Sequence, residues 1–246
     1  MEAIHLIVEI TVQIGLNTDY CEERGLPMND LSRRFHCIIH SMGMNKLEHP
    51  IFYNVPIGIR FEIGGAESVY LDNDENEYIT NPKYVSEAVS RAKTIYENLP
   101  NEPDILRIDV YSYEGFSEQD ALDEIYRETK LPNPNEIIKE LSQLEGEDDE
   151  VEPIIVLQLY WDLKIHNLFI DDLLEKIIMA DIGGCNALVS NVYFAETKNN
   201  ILFHIYDDRG ADLVSSNKES LFSIFKKLNS WILNYDREKI NNIFTL

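Results

Sequence analysis

The stretch that decides the fold runs from position 201 to position 214 and reads ILFHIYDDRGADLV. Positions 201–206 are apolar on nearly both faces of an extended chain, which predicts a strand in the interior of a sheet. The DDRG segment at 207–210 predicts a turn that leads into a second short strand. An amphipathic pattern then predicts a helix from about Lys218. Its apolar positions are Leu221, Ile224, Phe225, Leu228, Trp231 and Ile232.

Similar signals occur upstream of this block. Apolar residues alternate with small and charged ones over 57–63, which predicts a half-buried strand with residues 69–71 as its hairpin partner. Asn81 and Pro82 predict the start of a helix. The residues after Pro134 predict a short helix that ends at Leu144, and residues 4–16 alternate strictly, as in a strand. This mixture predicts an α+β fold with mostly antiparallel sheets.

An acidic run, EGEDDEVE at 145–152, is the strongest candidate boundary in the chain. Like charges in a block repel one another and stay solvated, so the run predicts a linker or an exposed loop. It would separate an N-terminal α+β half, residues 1–144, from a C-terminal half, residues 153–246. One continuous domain is the alternative. Both halves contain strand, strand and helix in similar order, so two related β-β-α halves are a further alternative.

The charge balance is the most unusual feature of the composition. The 246 residues include 44 Asp and Glu against 21 Lys and Arg, a net charge of −23. Such a field repels phosphate backbones, which argues against nucleic acid and favours a basic protein partner or simply solubility. Three widely spaced cysteines indicate reduced thiols in the cytoplasm. No stretch predicts a signal peptide or a membrane span. The oligomeric state stays open.

A family resemblance rests on two C-terminal motifs. YDDRG at 206–210 and WILNYDR at 231–237 resemble the signature of an uncharacterised bacterial family, a domain of unknown function. The stretches RFEIG at 60–64 and RAKTIY at 91–96 are similar to other recurring stretches of that family. The family has no assigned activity. Genes of this kind in Gram-positive bacteria are sometimes found near secreted toxin systems, so the resemblance points to an immunity protein.

The DDRG turn supplies the first candidate binding residues, Asp207, Asp208 and Arg209. Aspartates that follow a buried strand often supply oxygen ligands to Mg²⁺, and an arginine binds phosphate or carboxylate through two hydrogen bonds. The alternative is a structural turn in which an aspartate caps backbone N–H groups and Gly210 adopts a positive φ. The sequence favours the structural turn.

Two further pairs are candidates for binding. Arg60 and Glu62 share one side of a strand, where they form a polar floor with the turn or a structural ion pair. Asp236 is expected to cap a final helix, and Arg237 either bridges to the acidic turn or serves the fold. His204 lies in a buried strand, as a satisfied core histidine. His36 and His40 have the spacing of two zinc ligands but lack the glutamate of the protease motif, which favours a surface pair.

The sequence contains no recognisable catalytic set. There is no Gly-x-Ser-x-Gly elbow and no glycine-rich phosphate loop, and no cofactor, metal ion or catalytic residue is assigned. We therefore expect a non-enzymatic protein that acts through protein–protein contact, as an immunity-type inhibitor of a basic toxin. The alternative is a metal-dependent hydrolase or phosphoester-processing enzyme that uses the DDRG turn.

Overall fold

The computed structural model describes residues 30–71, 78–145, 151–183 and 191–245, so the predicted strand at 4–16 lies outside the described residues. Within these ranges the helices are α1 Leu31–Ser41, α2 Pro82–Glu97, α3 Glu118–Thr129, α4 Ile170–Asp181, α5 Lys218–Lys227 and α6 Arg237–Phe244. The strands are β1 Gly58–Glu62, β2 Tyr70–Leu71, β3 Ile79–Thr80, β4 Ile105–Ser112, β5 Glu136–Glu145, β6 Val151–Asp162, β7 Asn191–Glu196, β8 Ile201–Ile205 and β9 Gly210–Ser215. No described helix has the length and apolar character needed to cross a membrane.

Seven of the strands form one antiparallel sheet in the order β1-β9-β8-β7-β4-β6-β5, and β2 pairs with β3 in a small separate sheet. The predicted α+β class with mostly antiparallel strands is confirmed. The predicted interior position of the 201–206 strand is also confirmed, because β8 has neighbours on both sides and all five of its residues are buried.

Two local predictions are wrong. Residues 69–71 do not pair with the strand at 57–63, because β2 pairs with β3 while β1 pairs with β9. The chain from Glu136 to Glu145 is not a helix but β5, an edge strand of the main sheet. Consequently β8 and β9 are neighbours in one sheet, whereas β1 and β2 belong to different sheets. Strands from both sides of the acidic run share the main sheet, and Glu145 pairs with Val151.

One face of the main sheet is packed by five helices, α2 to α6. Alternate residues of the strands point to this side, such as Ile59 and Phe61 of β1 and Leu106 and Ile108 of β4. They contact the apolar faces of the helices in one continuous core that includes Trp161. Burial of this area from water is the main force that stabilises the fold.

The other face of the sheet is covered by α1 and by the chain that follows it. Asp30 precedes α1 and accepts a hydrogen bond from the amide of Arg33, as expected for a residue at the N-cap. Phe35, Ile38 and Ile39 of α1 pack against the sheet in a second apolar cluster. That cluster includes Tyr160 and Tyr193 from the strands, so this face carries polar atoms beneath its helix.

Candidate functional site

The DDRG segment forms a turn that Asp207 holds together. Its Oδ1 accepts hydrogen bonds from the backbone N–H groups of Arg209 at 2.8 Å and Gly210 at 3.0 Å. Its Oδ2 accepts from Nε of Arg209 at 2.8 Å. The expected positive φ at Gly210 is wrong. A Cβ at this position would lie 1.8 Å from the hydroxyl oxygen of Tyr206, so a larger residue would require the ring of Tyr206 to move.

Asp181, Asp207 and Asp208 form the one group of three possible metal ligands among the described residues. One ligand oxygen from each lies within 4.8 Å of the others. Burial raises the pKa of Asp208, and the nearby carboxyl of Asp181 raises it further, while Tyr84 donates a hydrogen bond to Asp208. Because both oxygens of Asp207 already accept hydrogen bonds, the geometry at Asp207 is that of a capped turn.

The structure brings Arg60 and Asp236 together. Nη1 of Arg60 lies 3.5 Å from Oδ2 of Asp236, and Nε of Arg60 donates to Oδ1 of Asp212 at 3.1 Å. Asp236 also accepts a hydrogen bond from the hydroxyl of Tyr53 at 2.8 Å. The expected cap is wrong, since the side chain of Asp236 makes no capping hydrogen bond to α6. Its carboxylate is directed to Arg60 and Tyr53 instead.

The remaining predicted residues lie elsewhere. Glu62 is exposed at the end of β1. Arg209 keeps 74% of its side chain exposed and pairs with Asp207. Arg237 donates to the backbone carbonyls of Asn229 at 3.0 Å and Ile232 at 2.6 Å, which ties the chain before α6 together. Among the seven predicted residues the contacts therefore join Arg60 to Asp236 and Asp207 to Arg209, and these pairs lie apart from each other.

A row of ionisable side chains crosses the α1 side of the sheet, with one residue from each of its seven strands. Each member is the direct cross-strand partner of the next, which places all seven on the same face. We call this the polar row, and its members in sheet order are Glu136, Tyr160, Arg107, Tyr193, His204, Asp212 and Arg60. The five interior members are buried. Charged residues are seldom buried unless they are paired, so the two charged members of the buried part of the row, Arg107 and Asp212, are expected to have partners of opposite charge.

Arg107 and Asp109 form a two-point ion pair at the centre of this face. Nε of Arg107 donates to Oδ1 of Asp109 at 2.6 Å and Nη2 donates to Oδ2 at 2.8 Å. The guanidinium carbon lies 5.0 to 5.6 Å from the ring centres of Phe35, Tyr160 and Tyr193, within cation–π range. A buried charge pair is costly to form unless its geometry is good, and this one has both hydrogen bonds and aromatic faces.

A cavity of about 450 Å³ lies between α1 and the sheet, over this ion pair. Its lining carries three basic side chains, Arg33, Lys46 and Arg107, and three acidic ones, Asp30, Asp109 and Glu140. Lys139 also contributes to the lining, but its ammonium pairs with Glu118 of α3 on the other side of the sheet. The whole chain has about twice as many acidic as basic residues, so the cavity lacks the acidic excess of the whole chain. Its volume is within the range of small-molecule sites.

Hydroxyl, amide and imidazole groups also line the cavity. The side-chain amide of Asn191 donates to the hydroxyl oxygen of Tyr111 at 2.7 Å, which leaves the hydroxyl hydrogen of Tyr111 to donate. The hydroxyl of Tyr160 donates to Gln158 at 2.9 Å. Nε2 of His49 lies 2.7 Å from the hydroxyl oxygen of Tyr193. These groups offer both donors and acceptors to a polar ligand.

His204 lies under this region, with 1% of its surface exposed. Its Nδ1 is 2.9 Å from the carbonyl oxygen of Val192, so Nδ1 carries the hydrogen and Nε2 is a lone-pair acceptor. Nε2 has no hydrogen-bond partner among the described residues. Burial lowers the pKa of His204 to about 3, with a further contribution from His49. The predicted core position is correct, but only one of its two nitrogens is satisfied.

The sequence analysis does not identify Arg107, Asp109 or Tyr193 as candidates, although it predicts the strand that contains Arg107 and Asp109 and the strand that contains Tyr193. Opposite charges two positions apart on a strand share one side, which is the signal that could have found the Arg107–Asp109 pair. The same rule applied to Arg60 and Glu62 fails, because Arg60 bonds to Asp212 on the neighbouring strand. Tyr193 carries no such signal.

Comparison with known proteins places the chain in a family. It matches the family described as "Domain of unknown function (DUF3885)" over residues 36–236, more than half of its length. The match includes the sheet, the cavity lining from His36 onward and the DDRG turn. Neither the curated proteins nor the solved structures contain a match. The chain therefore belongs to the DUF3885 family, a domain of unknown function.

Proposed function

We propose that this protein binds a small polar ligand in the cavity over Arg107 and Asp109, and that the ligand is anionic or rich in hydrogen-bond acceptors. The observation that carries the proposal is the local balance of charge, which differs from the acidic excess of the whole chain. Three basic side chains balance three acidic ones in the lining of this cavity, in a protein whose net charge is −23. A cavity that differs from the rest of the molecule in this way favours ligands that the outer surface repels.

The floor of the cavity supports the same class of ligand. Asp109 occupies Nε and Nη2 of Arg107 but not Nη1, the third nitrogen of the guanidinium. The hydroxyl of Tyr111 adds a second donor beside it. The rings of Tyr160 and Tyr193 hold Arg107 in place. Donors held by packing lose little conformational entropy when a ligand binds, which favours recognition.

The test is a titration followed by NMR, with the side-chain amides of Gln158 and Asn191 as reporters. The probes are inorganic phosphate, small dicarboxylates, sugar phosphates and nucleotides, with neutral sugars of similar size for comparison. We expect a saturable shift of both amides with an anionic class and none with the neutral sugars. The absence of a saturable shift with every probe would contradict the proposal.

A matched pair of tyrosine variants makes this test specific. Tyr111→Phe removes the donor in the cavity, and we expect it to weaken binding about tenfold, the effect of one lost hydrogen bond. Tyr113→Phe makes the same change at a residue that is 53% exposed and not in the cavity lining, so its affinity should equal that of the wild type. Equal losses in both variants would place the ligand elsewhere.

The second candidate function is recognition of a basic protein, such as the toxin of an immunity pair. It is favoured by the net charge of −23 and by the start of α4, where Phe169 is 82% exposed beside Asp171 and Asp172. An exposed aromatic next to acidic residues suits a basic partner with an apolar spot. Binding would be steered by charge and would block the partner by covering it.

The partner candidate is tested by affinity capture from the native source at low and high salt. We expect one basic protein in stoichiometric amount that is lost at high salt. Combined Phe169→Ala and Asp172→Asn changes should abolish capture, while Phe222→Ala on α5, another exposed phenylalanine, should not. Capture of the same protein by the Phe169→Ala and Asp172→Asn variant would show that the partner does not bind at the start of α4.

A further inference from the structure

Ser32, in the first turn of α1, contacts two carboxyl groups. Its Oγ lies 2.5 Å from Oε1 of Glu136 on β5 and 2.6 Å from Oδ1 of Asp30. Its backbone N–H donates to Oε2 of Glu136 at 3.0 Å. The first four N–H groups of a helix have no partner within the helix, so Glu136 satisfies one of them. This contact joins the beginning of α1 to the edge strand of the sheet.

The hydrogen-bond count at Ser32 requires a bound proton. A serine hydroxyl has one hydrogen and cannot donate to two carboxylates at once, and an ionised carboxylate can only accept. Two contacts of hydrogen-bond length from one hydroxyl oxygen are therefore satisfied only when one of the two carboxyl groups is protonated. Burial raises the pKa of Glu136 to about 7, and its hydrogen bond with Asp30 raises it further. Glu136 is therefore the group that holds the proton.

This contact controls one edge of the cavity. Phe35, His36 and Ile39 of α1 line it on one side, and Ile138 and Glu140 of β5 line it on the other. A second contact holds α1 further along, where Arg34 pairs with Asp104 and Asp104 also accepts from Thr197 at 2.6 Å. The Ser32 contact joins the two sides directly.

We propose that Ser32, Asp30 and Glu136 form a proton-dependent latch that holds α1 against β5 over the cavity. With one proton shared by the two carboxyl groups the latch is closed, and when both ionise their charges repel and the first turn of α1 separates from β5. The groups that face Glu136 are Asp30, which precedes α1, Ser32 in the first turn of α1, and Tyr160, its cross-strand partner on β6. The role of the latch in ligand entry rests on the proposed function, whereas the latch itself does not.

The amide of Ser32 reports the state of the latch directly, because it donates to Glu136. We would measure its hydrogen exchange at pH 6 and pH 8.5, corrected for the intrinsic pH dependence of exchange. The wild type should lose protection at Ser32 by about tenfold between these pH values, the effect of moving one pH unit or more above the pKa. Equal protection at both pH values would overturn the latch.

Two variants should hold the latch closed at every pH. Glu136→Gln replaces the protonated carboxyl by a neutral amide that both donates and accepts. Asp30→Asn removes the competing charge and keeps a good N-cap residue, so the serine hydroxyl is shared without a bound proton. Both should keep the protection of Ser32 at pH 8.5, while Glu175→Gln, an exposed site on α4, should behave as the wild type. A pH-dependent loss in both latch variants would also overturn the proposal.

These measurements need no ligand, so they separate the latch from the proposed function. If the latch opens as described and none of the probe classes binds, the ligand proposal fails alone. If an anionic probe binds with an affinity that is equal at pH 6 and pH 8.5 in the wild type, and the protection of Ser32 is also unchanged, the latch fails alone.

Discussion

Two arginine–aspartate clusters lie on the same face of the sheet and differ in their charge balance. Arg107 faces one carboxylate through two hydrogen bonds, so that pair is neutral. Arg60 lies between two carboxylates, with Asp212 at 3.1 Å and Asp236 at 3.5 Å. Burial raises the pKa of Asp212 to about 6, despite the attraction of Arg60. The comparison teaches that burial beside a second carboxylate leaves Asp212 with a raised pKa even though an arginine contacts it.

The largest expected effect is at the balanced pair. Arg107→Met leaves Asp109 buried without its partner, and breaking a buried pair in this way costs about 3–5 kcal/mol. We expect a loss of this size in the free energy of unfolding, measured by urea denaturation at pH 7. The double variant Arg107→Met with Asp109→Leu should recover most of it, because no buried charge remains.

An exposed arginine provides the control for this prediction. Arg127 keeps 67% of its side chain exposed in α3, and Arg127→Met should change the free energy of unfolding by no more than about 0.5 kcal/mol. A loss at Arg107 as small as that at Arg127 would mean that the ion pair contributes nothing to the fold.

The next effect concerns His204, which lies between the two clusters in the polar row. Its pKa in the folded protein is about 3 and its ordinary value is 6.5, so its contribution to stability is present above pH 6.5 and is lost as the pH falls. His204→Asn keeps a donor for the carbonyl of Val192 and removes the titration. Between pH 6 and pH 4.5 the wild type should lose about 2 kcal/mol more than this variant. Parallel pH profiles would contradict the buried neutral imidazole.

Asp212, the cross-strand partner of His204, should show the opposite sign. Its folded pKa of about 6 is above its ordinary value of 3.8, so the stability it contributes is present at low pH and is lost as the pH rises through 6. Asp212→Asn can still accept from Arg60 and from the amide of Phe52. From pH 5 to pH 7 the wild type should lose about 1 kcal/mol relative to this variant. Chemical denaturation at the two pH values measures the difference, and a relative gain by the wild type would reverse the assignment.

The smallest effect is expected at the DDRG turn. Arg209 is mostly exposed and its partner Asp207 also accepts two backbone hydrogen bonds. Arg209→Gln should therefore change the free energy of unfolding by no more than about 0.5 kcal/mol. Asp207→Ala, which removes the backbone acceptors as well, is the comparison that should show a clear loss. Equal effects in the two variants would show that the backbone bonds of the turn contribute little.

Local periodicity was sufficient to predict much of the fold. The alternation over 57–63 correctly assigns the two faces of β1, and the apolar run at 201–206 correctly assigns an interior strand. The predicted short helix after Pro134 is wrong, although Ile137, Ile138, Leu141 and Leu144 have a spacing that also fits a helix. As an edge strand β5 is paired on one side only, and its Leu141 is 75% exposed. Tertiary pairing with β6 overrides the local pattern there.

The candidate site was much harder to predict, because it depends on register between strands that are distant in sequence. Arg107 and Tyr193 are cross-strand partners although they are 86 positions apart in the sequence. The local pattern of neither strand predicts this pairing. Asp207, Asp208 and Arg209 are candidates because they follow a buried strand, but Asp207 bonds to Arg209 within the same turn, so local hydrogen bonds account for these two side chains. The one cavity-lining pair within reach of sequence reasoning was Arg107 and Asp109, two positions apart on one strand.

The polar row has a consequence for how the chain selects its strand pairing. Side chains alternate between the faces of a strand, so a shift of one residue moves every side chain of that strand to the opposite face. The interior strands are β4, β6, β7, β8 and β9. In each of them such a slip would turn its member of the polar row into the helix-packed core; these members are Arg107, Tyr160, Tyr193, His204 and Asp212. A one-residue register shift in any interior strand would therefore bury a polar side chain in the apolar core. The polar row thus disfavours incorrect strand register when the sheet forms.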